Sequence, residues 1–159
     1  MPRTATLLQL RTDVANLCDF APGATTRYTP TLLNRLINQS IQRFRERVSA
    51  DGMTHFLVSS SGTLQGPTSP FAFEVLSVAS FSPGVVRTYG VDVTIQNMVR
   101  TLAHRPFTAR NDYSDNGYGI PTCWAQYQTY TIAVMPSRGG DPYTVWYLPV
   151  AADLVNDSD

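Results

Sequence analysis

Apolar positions in the first fifty residues fall three and four apart, and from Thr54 onward they alternate. Leu7, Leu10, Val14 and Leu17 mark one amphipathic helix over residues 6–18, which Thr4 or Thr6 can cap and "APG" at 21–23 ends. The second helix is the clearest element. In "YTPTLLNRLINQSIQRFRERV", Thr29 stands as N-cap and Pro30 at the first helical position, where a missing N–H is harmless. Leu33, Ile37, Ile41, Phe44 and Val48 form its apolar stripe, and "ADG" at 50–52 stops it. The short connection predicts an antiparallel helical hairpin.

Beyond it, "THFLVSS" reads as a strand and "SSGTLQGPTSP" as a polar loop. "FAFEVLSVASF", the turn "SPG" and "VVRTYGVDV" read as a hairpin or meander. Ile95, Met98, Val99 and Leu102 predict a short helix from Thr94 to His104. "RPFTARNDYSDNGYGIP" is a long irregular stretch of the kind that carries function, with Tyr113 and Tyr118 in its 107–119 core. "TCWAQYQ", "YTIAVMP" and "YTVWYLP" predict three strands, although the reversal before Tyr130 has no Gly or Asp to turn on. The last two runs nearly rhyme. Pairing them around "SRGGDP" would set Ile132 near Tyr147, Val134 near Val145 and Ala133 near Trp146. Both faces of that pair are apolar, so it would be a buried scaffold hairpin, one face of which can serve assembly. "AADLVNDSD" is an acidic tail. The expected fold class is α+β: an N-terminal antiparallel helical hairpin (1–52), a mainly antiparallel β part with one short helix (53–149), and a tail (150–159), all one domain.

Composition narrows the function classes. A chain of 159 residues can bury roughly 68–70% of its unfolded surface, so it needs neither metal nor disulfide to hold a core. Arg11 and Asp13 interrupt any signal-peptide core, and no apolar run approaches a membrane span. The expectation is a soluble protein made in a cytoplasm. Cys18 and Cys123 form no CxxC unit, which points to two reduced thiols, at least one of them buried. Twelve basic and twelve acidic residues balance, so no global field draws the chain to DNA or lipid. All twelve basic residues are Arg. Arg is favoured at protein interfaces, and genomic base composition produces the same bias.

Candidate chemistry is sparse. His55 and His104 are the only imidazoles, and neither sits in a metal-binding, nucleophile-elbow or phosphate-loop pattern. No catalytic, cofactor or metal residue is assigned. "RFRERV" puts Arg43 and Arg47 on one helix face, with Glu46 beside them. Asn34 and Asn38 are more unusual. Asn is a poor helix former, and two at i and i+4 suggest amides with fixed partners in a neighbouring loop or another subunit; half-exposed tolerance is the bland reading.

Three stretches in order carry a resemblance: "TLLQLRTDVANLCDF" with "YTPTLLNRLINQSIQRF"; "FAFEVLSVASF" with "VVRTYGVDV"; and "YGIPTCWAQYQTYTIAVMPSRGGDPYTVWYLPVAADL". Together they resemble the small head–tail connector (adaptor) proteins of tailed bacteriophages. The resemblance implies a non-enzymatic virion protein without cofactors. It would assemble in the host bacterial cytoplasm into a ring of itself, twelve copies, at the head–tail junction. Its other partners would be the portal protein above and the next tail or nozzle protein below, around a channel carrying genomic DNA, with no membrane contact. Interaction candidates are Asn34, Asn38, Arg35, Arg43, Arg47, Tyr113, Tyr118, Trp146, Asp153 and Leu154. The alternatives are another tail ring protein (completion or terminator) or a small nucleic-acid-binding module.

Overall fold

The computed structural model describes residues 5–18, 29–66, 73–81, 84–116 and 119–155, with the side chains of 111 and 113–116 left aside. The fold is α+β, with two α-helices and two mainly antiparallel four-stranded sheets. The chain divides into two compact units, residues 1–53 with 151–159, and residues 54–150.

In the first unit, α1 (Leu7–Leu17) starts on a capping box: Thr6 accepts the Gln9 N–H, and the Gln9 side chain accepts the Thr6 N–H. The "APG" stop lies outside the described residues. In α2 (Pro30–Ala50), the Thr29 hydroxyl caps the Leu32 N–H and Pro30 opens the first turn. Gly52 follows the end at φ 88°, a left-handed position that an L side chain rarely adopts. Leu33 and Ile37 are buried and Ile41 and Val48 half-buried, whereas Phe44 is 61% exposed, against the expected stripe. Length explains it. α1 touches α2 but has 11 residues against 21, so at ~1.5 Å per residue it covers only about half of α2. The turn between the helices lies outside the described residues.

The second unit is a sandwich. One sheet orders β1 (Val58–Thr63), β8 (Pro142–Pro149), β3 (Val85–Ile95) and β4 (Met98–Thr101). The other orders β2 (Glu74–Ser77), β7 (Thr131–Met135), β6 (Cys123–Gln128) and β5 (Ala103–His104), with β5–β6 the parallel pair. Val91, Val93, Val145 and Tyr147 from the first sheet share a core with Leu76, Trp124, Ile132 and Val134 from the second.

Three sequence expectations fail here, each for a definable reason. The stretch from Thr94 to His104 is not a helix. Gln96 and Asn97 have φ of 51° and 63°, the signature of a tight two-residue turn joining β3 to β4, with Ile95 opposite Met98. Four apolar residues spaced three, one and three apart fit either period, and the β-branched run before them decides for strand. His104 accordingly sits in β5. Second, "FAFEVLSVASF" and "VVRTYGVDV" do not pair: β2 joins β7 and β3 joins β8. Third, the rhyming runs form no hairpin. Ile132 and Val134 of β7 lie opposite Gln126 and Trp124, while Val145, Trp146 and Tyr147 of β8 lie opposite Val91, Gly90 and Thr88.

"SRGGDP" is therefore a crossing between sheets, and it is tightly stitched. The Gly140 N–H donates to the Leu64 carbonyl and the Leu64 N–H to the Asp141 carbonyl, at 2.8 and 2.9 Å. A Cβ on Gly139 would come within 2.8 Å of the Gln65 carbonyl oxygen, so only glycine permits the crossing. The expected burial of β7 does hold, because four of its five residues are buried. One face meets the sandwich core. The other, with Met135, Cys123 and Ala125, lies under Phe73 and Phe107.

That cover explains the irregular stretch. Residues Phe107–Asn116 form a 3₁₀ segment, anchored where Phe107 meets Phe73 edge-on at 5.5 Å and Tyr127 at 4.6 Å. The Arg110 guanidinium stacks 4.9 Å over the Phe107 ring. The reversal before Tyr130 is also solved by a side chain: Nε2 of Gln126 donates to the carbonyls of Gln128, Thr129 and Thr131 across a bulge at Gln126/Gln128.

Candidate interaction surfaces

Of the two asparagines on α2, Asn38 has a fixed partner, and it is the chain's own tail. Asn38, Gln42 and Asn34 recur every four residues and so share one helix face. Asn38 grips Leu154 at both ends: its Oδ1 accepts the Leu154 N–H at 3.1 Å, and its Nδ2 donates to the Leu154 carbonyl at 3.3 Å. Gln42 Oε1 accepts the Ala151 N–H at 2.9 Å. These bonds read backbone, so they hold the tail through its main chain, and Asp153 is left exposed while Leu154 is half-buried. The tail's pattern gave no sign of this. Asn34 is not part of the grip, and its Oδ1 is buried with no hydrogen-bond partner.

An Asn38→Ala variant is expected to release the tail. Two lost hydrogen bonds are worth about 1–2 kcal/mol, which is roughly a 5- to 30-fold rise in amide exchange at Leu154. Asn38→Asp should do the same, because its second oxygen would face the Leu154 carbonyl. Hydrogen exchange read residue by residue checks both; unchanged protection at Leu154 would contradict the grip.

Arg35, Arg43 and Arg47 are all exposed on α2. Arg47 lies 3.4 Å from Asp51, both side chains well solvated, so the pair contributes little to stability. The Glu46 carboxylate accepts from Gln42 at 3.1 Å. Tyr113 lies in the 3₁₀ segment by its backbone, with its side chain outside the described part; Tyr118 lies outside the described residues.

Trp146 belongs to the sandwich unit. It sits mid-strand on the outward face of its sheet, 40% exposed, and its indole N–H donates to Asp92 at 2.7 Å. A groove of about 500 Å³ runs beside it, lined by Leu57, Tyr89, Gly90, Asp92 and Thr101. Gly90 lies directly opposite Trp146 in the ladder, and no heavy atom lies within 4 Å of where its Cβ would be. The backbone at Gly90 is thus bare on the face that carries Trp146.

One buried, densely bonded polar group was missed by sequence reasoning. Glu74, 4% exposed, accepts from the Gln65 N–H (2.8 Å), the Gly66 N–H (2.9 Å) and the Ser137 hydroxyl (2.8 Å). It joins β2 to the chain after β1 and to the start of the crossing. Nearby, Arg138 makes a two-point pair with Asp141 at 3.0 and 2.8 Å; the hydrogen bond, and then the charge of Asp141, hold its guanidinium above its ordinary pKa. Tyr143 is pushed up from 10.0, first by burial and then by the Glu74 charge.

Among the described residues no three His, Cys, Asp or Glu side chains converge as a metal site, and no helix is long and apolar enough to cross a membrane. Cys18 is exposed and Cys123 buried, both free. His55 is exposed, and His104 lies 4.6 Å from the Trp124 ring. In comparisons with known proteins, no family model matches the chain and no curated protein matches it.

Proposed function

We propose that this chain is a non-enzymatic virion structural protein, a ring-forming head–tail adaptor that bridges a portal to the next tail component around a DNA channel. The observation that supports it best is β4. This edge strand is exposed at all four positions and carries Met98 on one face and Val99 on the other, 54% and 68% exposed. An apolar edge strand is a pairing hazard unless a partner covers it. Trp146, on the same sheet, is a second anchor of the residue type that dominates interface energetics. The balanced charge suits a ring that lets DNA pass, because many phosphate contacts would grip the duplex. In this reading α1 and α2 form an antiparallel helical hairpin, and Arg35, Arg43 and Arg47 face a neighbour or the channel.

The test is native mass spectrometry and electron microscopy of the purified chain, alone and mixed with its portal. Closed rings of about twelve copies are expected. A monomer in both conditions, together with absence from purified particles, overturns the reading. DNA binding with a steep salt slope and no ring would favour the nucleic-acid-binding module instead.

A further inference from the structure

We propose that the sandwich unit carries a docking trough for an extended acidic polypeptide segment, which adds as a strand to the open edge of β3 at residues 85–89. The trough arises from the way β4 ends. β4 pairs with β3 only from Asp92 to Ile95; the Leu102 N–H then donates to the Val91 carbonyl at 2.8 Å, and the chain crosses to the other sheet as β5. From Val85 to Gly90, β3 therefore pairs with β8 on one side and with no strand on the other, among the described residues. β6 is open in the same way, since β5 covers only Cys123 and Trp124. Between these two edges lies a cavity of about 540 Å³.

Its lining decides the ligand. Five consecutive residues, Val85 to Tyr89, form one wall, so the trough runs along a strand edge. Unpaired edge N–H and C=O groups accept an extended peptide by strand addition. Arg87 and His104 line it, and no carboxylate does, so the complementary segment is acidic. Arg87 is already oriented, its guanidinium 5.4 Å from the Tyr89 ring centroid. Thr88 adds an independent sign that the edge is unfinished. It lines the trough at 7% exposure, and its hydroxyl is buried without a hydrogen-bond partner, which is rare in a completed structure. Arg-lined single-strand grooves also bind nucleic acid, but those track phosphates with several cations, and one strand edge with one Arg fits a peptide better.

The probe is a synthetic peptide of sequence AADLVNDSD, the chain's own most acidic stretch, titrated into the full-length protein while backbone amide shifts are followed by NMR. Shifts confined to residues 85–90 and 124–129 are expected. Three changes should each weaken binding at least tenfold: Arg87→Glu or Arg87→Gln in the protein, Asp→Asn throughout the peptide, and N-methylation at alternate peptide residues. Arg87 is exposed, so both variants should fold, and the unbound amide spectrum verifies this. Shifts on α2 in place of β3, affinity unchanged by Arg87→Glu or by N-methylation, or equal shifts from inorganic phosphate or a single-stranded oligonucleotide overturn the proposal. The outcome is independent of ring formation, so it stands or falls apart from the adaptor reading.

Discussion

Replacing Glu74 by alanine is expected to cost about 3–5 kcal/mol of stability, because it strips the acceptor from three donors at once. Gln65 N, Gly66 N and the Ser137 hydroxyl all converge on this one carboxylate. Gly66 and Ser137 are themselves buried, so solvent is a poor substitute for them. Glu74→Gln should cost less, about 1–2 kcal/mol, since an amide keeps one acceptor and turns the other position into a donor that faces a donor. Urea denaturation of the two variants beside the parent chain measures the difference. A loss below 1 kcal/mol for Glu74→Ala would mean that the knot is not a structural keystone.

The same carboxylate leaves a mark on the alkaline limb of stability. Burial, and then the Glu74 charge, raise the Tyr143 phenol above 10.0 in the folded chain. The folded state thus favours the neutral phenol, and the unfolded chain ionises first. The stabilisation is complete below pH 10.0 and is lost as pH climbs from there through the raised folded value. Tyr143→Phe should flatten this part of the profile, and Glu74→Gln should partly do so by leaving burial alone to act. Ultraviolet titration of tyrosinate follows the phenol directly.

Local chemistry in the sequence was legible, and pairing was not. Thr29, Pro30 and Gly52 mark the ends of α2 by properties that depend on no distant residue. The strands at 123–128, 131–135 and 142–149 likewise announce themselves through alternation and β-branched or aromatic content, whereas β1 starts only at Val58 and runs through Ser61–Thr63, which read as loop because Ser and Gly carry no strand pattern. Which strand lies beside which was hidden. β7 is apolar on both faces, and so would suit a β8 partner as well as its real neighbours β2 and β6. The crossing at Gly139 is visible only once Gln65 is seen against it. Residues 94–104 failed because Ile95, Met98, Val99 and Leu102 satisfy two periods. Asn38 was detectable as a residue poorly suited to its helix, yet its partner Leu154 lies 116 positions away. Glu74 gave no signal, since two of its donors are main-chain N–H groups of Gln65 and Gly66, which no side-chain pattern marks, and the third, Ser137, lies 63 positions away.

If copies of the chain meet through Trp146 in the ring proposed above, Trp146→Ala is expected to reduce the affinity between copies roughly 30- to 1,000-fold, the 2–4 kcal/mol range of a central aromatic anchor. The side chain is preset for that role: the bond to Asp92 at 2.7 Å fixes the ring's orientation, so little side-chain entropy remains to be lost on contact. The fold itself should change little, by about 1 kcal/mol or less, because the ring lies on the outer face of the sheet, 40% exposed, and outside the buried core. Trp146→Phe should fall between, since it keeps the ring plane and loses the N–H. Asp92→Asn keeps an acceptor for the indole and is expected to assemble nearly as the parent does. Analytical ultracentrifugation across a concentration series reads all four proteins on one scale. If the alanine variant assembles at parental concentrations, this face of the sheet is not between copies, and the exposed β4 edge becomes the place where self-association must be sought.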